Sequence, residues 1–63
     1  MDVWQEYVGK KIFLRTRNNR TYSGLVLQVD DNDKQIIFIT IKDSRGMLVT
    51  FVHSEVLEVK EEK

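Results

Sequence analysis

A chain of 63 residues holds one small domain, and a domain of that size buries only ~60% of the surface its unfolded form exposes, so stability outside the single core has to come from metals, disulfides or self-association. Cysteine is absent and His53 is the one histidine, which excludes disulfides, thiolate zinc sites and cysteine nucleophiles and leaves self-association as the expected helper. Ten basic side chains stand against ten acidic ones, which excludes the global positive field of a protein that coats nucleic acid without selectivity.

The segment DVWQEYV (2–8) sets Val3, Trp4, Tyr7 and Val8 at helical spacing behind Asp2, a residue able to cap a helix start, and predicts a short helix lidding the elements that follow. Large aromatics there contribute most by covering one end of a core. After Gly9, KKIFLRTR alternates, with Ile12, Leu14 and Thr16 on one face and Lys11, Phe13, Arg15 and Arg17 on the other, as in a half-buried strand with a basic outer side. Asn18-Asn19 then supplies residues tolerant of the positive φ angles of a tight two-residue hairpin.

The returning strand, RTYSGLVLQVD, does not keep one period. Tyr22, Gly24 and Val26 share one face while Leu25, Leu27 and Val29 share the other, so the pattern predicts a strand that bends sharply at Gly24 and changes what it packs against. DDNDK (30–34) reads as a polar turn, and QIIFITIKD as a strand buried on both sides or nearly so. A turn at 44–46 leads to MLVTFVH, a fourth strand apolar on both faces, and after Ser54-Glu55 the run VLEVK makes a short fifth strand before the charged tail 61–63. The expectation is an all-β fold: a helix over about 2–8, then a strongly bent five-stranded SH3-like barrel over about 10–60, in one domain spanning 1–63.

The order and spacing of these pieces resembles the Sm and Sm-like family, to which the bacterial Hfq proteins belong. Arg20, Tyr22, Gly24, Val26, Val29 and Asp30 fall at the positions of the family's first motif, Arg-x-aromatic-x-Gly-x-aliphatic-x-x-apolar-Asp. Phe51, Val52, His53, Ser54, Glu55, Val56 and Val59 keep the apolar frame of the second motif, although Val-His-Ser-Glu replaces its Arg-Gly-x-Asn signature. The resemblance implies a homo-oligomeric ring in which the fourth strand of one subunit pairs with the fifth of the next. Met47, Val49, Phe51, Val56, Leu57 and Val59 would then form the subunit interface, and a doubly apolar free edge invites such pairing on general grounds as well.

The resemblance also implies single-stranded, often uridine-rich RNA as the partner, held near the pore by the turn after the second strand and by the second motif. In this chain those positions offer Asn32, Lys34 and His53, with His53 available to stack on a base, but Asp30, Asp31 and Asp33 repel phosphate and Val52 stands where the family has Arg. Each residue also has a plainer reading: Asn favours turns, Lys34 is solvated, and a lone histidine at a strand end is structural. Asp30 is expected to hold its turn through backbone amides, since the turn lacks the spacing and length of a calcium loop. A second basic surface gathers Lys11, Phe13, Arg15, Arg17 and Arg20 at the first hairpin, either as a rim contact for RNA phosphates or as an ordinary solvated face.

Catalysis is not expected, because one histidine, no cysteine and carboxylates confined to a turn and a tail assemble no nucleophile with its base. No metal or cofactor is expected, and no apolar stretch approaches the ~20 residues of a membrane span, so a cytoplasmic protein is expected. The rival from another class is an SH3-like or PRC-barrel-like protein-interaction module without RNA binding, holding a protein partner by an edge strand or apolar patch.

Overall fold

Alternation decides the first strand as expected. Ile12, Leu14 and Thr16 are buried and Lys11 and Arg15 exposed along β1 (Lys11–Thr16). The computed structural model describes residues 4–33 and 35–62, and among these the chain continues through β2 (Thr21–Asp33), β3 (Ile36–Lys42), β4 (Leu48–Val52) and β5 (Val56–Glu61). All pairings are antiparallel, and the strands form one sheet in the order β4-β3-β2-β1-β5. The expected closed barrel is, among the described residues, an open sheet whose two edges are β4 and β5. Its core is one apolar face, built from Ile12, Leu14, Val26, Val29, Ile37, Ile39, Ile41 and Phe51.

That face is concave. Tyr22 and Phe51 lie on strands separated by β3, ~10 Å apart in a flat sheet, yet their rings meet edge to face with centroids 4.7 Å apart. Only a sheet that curls brings them together.

Several expectations require correction. The helix over 2–8 is a four-residue 3-10 turn, Trp4–Tyr7, while its proposed cap Asp2 and Val3 lie outside the described residues. Gln5 Nε2 donates to the Val29 carbonyl at 3.1 Å, and the Gly9 amide donates to the Val26 carbonyl at 2.9 Å, so this segment covers the flank of β2 that β1 does not reach. The first hairpin has a three-residue loop, not two. Thr16 N–H donates to the Arg20 carbonyl at 2.8 Å, Asn19 N–H donates to the Thr16 carbonyl, and Asn19 takes φ 65°, the left-handed residue such loops require.

The apparent double-faced apolarity of β2 comes from a β-bulge. Val26 pairs with Ile41 and Gln28 with Thr40, which leaves Leu27 as the extra residue, and the shift in phase returns Val29 to the same buried face as Val26. Leu25 and Leu27 are consequently exposed. Residues 30–33, expected with Lys34 as a turn, extend β2 to Asp33 through a second irregularity between Asp30 and Asp33. Nor is β3 buried on both sides: Ile37, Ile39 and Ile41 point into the core while Ile36 and Phe38 are exposed. Among the described residues no helix is long and apolar enough to cross a membrane.

Gly24 is buried at the point where β2 passes from one partner to the other: Leu25 pairs with Lys11 of β1 on one side and with Lys42 of β3 on the other. A Cβ on Gly24 would stand 2.5 Å from the Lys42 carbonyl oxygen and 2.9 Å from its carbon. Both are backbone atoms, so relief requires β2 and β3 to move apart. Gly24→Ala is expected to destabilise the domain by about 1–3 kcal/mol, the usual cost of overpacking, read as a lower urea midpoint. An unchanged midpoint would contradict the close approach.

Candidate nucleic-acid interface

Three surfaces carry the residues singled out from the sequence. The first is the end of the sheet formed by the β2–β3 hairpin and a 3-10 turn, His53–Glu55, that joins β4 to β5. Asp30 Oδ1 accepts the Asn32 amide at 3.2 Å, as expected of an acid that holds its own chain direction, and Asp33 Oδ1 accepts the Gln35 amide at 2.9 Å. His53 Nδ1 accepts the amide of Ile37 at 3.1 Å. Because Ile36 pairs with Asp33, this bond brings His53 to the end of the sheet that carries Asn32. Lys34 lies outside the described residues.

The second surface is the outer face of β1. Phe13 is half-buried there, opposite Ser23 of β2 and Lys60 of β5, with the Lys60 ammonium 5.8 Å from the ring centroid. Several neighbouring cations are already engaged. Arg15 faces Glu58 at 3.7 Å and Lys10 faces Glu61 at 3.7 Å. Arg17 Nε donates to the Ser54 carbonyl at 2.8 Å while the Arg17 amide donates to Glu55, clamping the first hairpin onto the second 3-10 turn. Arg20 is exposed, and its carbonyl accepts Thr16. Lys60 was not singled out from the sequence, since only the non-local pairing of β1 with β5 sets it beside Phe13.

The third surface is the pair of sheet edges. Phe51, expected at an interface, is a core residue packed on Tyr22, because β4 alternates and Phe51 falls on its inner face. Val49, Val56 and Val59 are half-buried against the same core. Met47 precedes β4 and is 62% exposed, and Leu57, the extra residue of a bulge between Glu58 and Val56, is 51% exposed. Leu48, 63% exposed at the start of β4, joins them. Alternation from Phe51 would have marked Val49 as inward and Leu48 as outward.

Among the described residues no group of three or more His, Asp or Glu side chains is placed to hold a metal ion. No protein-family model, curated protein or solved structure matches this chain. The functional reading therefore stands on geometry.

The His53 contact yields a direct test. His53→Ala leaves the half-buried Ile37 amide without its acceptor, and the expected loss is about 1–3 kcal/mol, the cost of an unmade hydrogen bond, visible in chemical denaturation. Wild-type stability in that variant would show that the imidazole has no structural part.

Proposed function

We propose that the chain is a non-catalytic, Sm-like barrel subunit that assembles edge to edge into a homo-oligomeric ring in the cytoplasm and serves as an RNA-binding or RNA-associated scaffold. The observation that carries this reading is the strand order. β4 and β5 are consecutive in the chain, yet they lie at opposite edges of the sheet. Each edge presents a row of backbone donors and acceptors that a strand from a second copy satisfies. The two edges are different surfaces, so pairing β4 of one copy with β5 of the next is head-to-tail, and a head-to-tail contact closes into a ring when its rotation divides a full turn.

RNA association is supported by Phe13 and its cations. An aromatic ring on an open sheet face, with Lys60 above it and Lys11 beside it, offers stacking and phosphate contacts that require no particular base. The acids at Asp30, Asp31 and Asp33 weigh against phosphate at the hairpin end, where Asn32 and His53 remain as base contacts. A protein-interaction module of SH3-like or PRC-barrel-like type shares the exposed apolar edges, and a monomer in solution would favour it.

The test is the native mass before and after nuclease treatment, on the wild type and on Leu48→Lys and Leu57→Lys. Both side chains are exposed, so the subunit keeps its fold while a charge enters each edge. The expected result is a ring for the wild type and a folded monomer for the variants. A wild-type monomer, or variants that still assemble, would overturn the edge pairing.

A further inference from the structure

The convex face of the sheet holds a groove of about 250 Å³ that none of the foregoing uses. Its walls include Lys11, Ser23, Leu25, Lys42 and Ser44, and Gly24 lies in its lining. The register explains the convergence. Lys11, Leu25 and Lys42 lie directly opposite one another across β1, β2 and β3, so the two lysines flank Leu25 from neighbouring strands with their Cα atoms ~10 Å apart. Side chains of that length reach a common point above Leu25, and the Ser23 and Ser44 hydroxyls add donors at its border.

The charges of this groove differ from those around it. Lys10 and Arg15 are within ion-pair distance of Glu61 and Glu58, and Arg17 is bonded to Ser54. Among the described residues, neither Lys11 nor Lys42 lies within ion-pair distance of a carboxylate. Two carboxylates also line the groove. Asp43 Oδ1 already accepts the amides of Arg45 and Met47, each at 2.9 Å, and is turned to its own loop. Glu62, whose amide donates to the Lys11 carbonyl at 2.8 Å, has an exposed side chain. Two ammonium groups outside ion-pair distance of the carboxylates, with two hydroxyls beside them, offer donors to one tetrahedral anion.

A small groove of this volume suits a phosphate with its adjoining sugar better than a drug-sized ligand, whose sites begin near ~300 Å³. Phe13, opposite Ser23 and two residues along β1 from Lys11, lies ~6.6 Å down the strand. A base stacked on that ring leaves its backbone running toward the groove. We propose that the groove between Lys11 and Lys42 holds a backbone phosphate of single-stranded RNA whose neighbouring base stacks on Phe13. This rests on the RNA-associated reading above and assigns it a location.

The experiment is fluorescence anisotropy with labelled decauridylate across a salt series, on the wild type and on Lys11→Gln, Lys42→Gln, Glu62→Gln and, as a control for lost charge, Lys10→Gln. Inorganic phosphate serves as competitor. Lys11→Gln and Lys42→Gln are each expected to weaken binding several-fold and to lower the slope of log affinity against log salt by about 0.7, one phosphate contact on a single strand. Glu62→Gln removes the opposing charge and is expected to tighten binding, while Lys10→Gln changes it little. Decauridylate bound equally by the wild type and both lysine variants would overturn the groove while leaving RNA association standing. Absence of binding by every form would overturn both. Inorganic phosphate that binds as tightly as decauridylate would make this a site for the free anion and overturn the polynucleotide assignment.

Discussion

The fold depends on one strand having two partners. β2 is 13 residues long, and its first part pairs with β1 while its second part pairs with β3, with Leu25 shared between them. A strand that passes from one neighbour to the next in this way must let a third backbone approach where the exchange occurs. The Lys42 carbonyl does so at Gly24, in the space a Cβ would occupy. The concave core, the meeting of Tyr22 with Phe51, and the placing of Lys11 and Lys42 on either side of Leu25 accompany that approach.

Where residues report on local geometry, the sequence is readable. β1 shows its buried face by strict alternation, Asn19 takes the positive φ that its residue type invites, and Gly24 lies where the pattern requires a residue without a side chain. Bulges are less readable, because one extra residue reverses the face of everything after it. Leu27 made β2 read as apolar on both sides, and Leu57 hid which residues of β5 face inward. The exposed Phe38 and Ile36 made β3 read as doubly buried, since an apolar residue on an outer face cannot be told from a core residue by composition alone.

The same distinction governs the charged residues. Five basic or aromatic positions of the first hairpin form one cluster in sequence, but pairing with β5 divides them: Arg15 meets Glu58, Arg17 fastens the hairpin to the second 3-10 turn, and Phe13 receives Lys60. Lys42, which belongs to no basic cluster in the sequence, comes to the face through its register with Leu25. A site assembled from strands distant in sequence is legible only once their order is known. His53 shows the same, for a histidine distant in sequence from the β2–β3 hairpin is held beside it by the Ile37 amide.

The central claim is that β4 and β5, the two edges of the sheet, are paired between copies. Amide hydrogen exchange measured above and below the concentration of assembly tests it most directly, since it reads the backbone groups themselves. The account predicts that those amides within Leu48–Val52 and Val56–Glu61 that point away from β3 and β1 exchange slowly in the assembled protein and become fast on dilution, while those of β2 stay protected throughout. Edge amides that exchange equally fast at every concentration would contradict it.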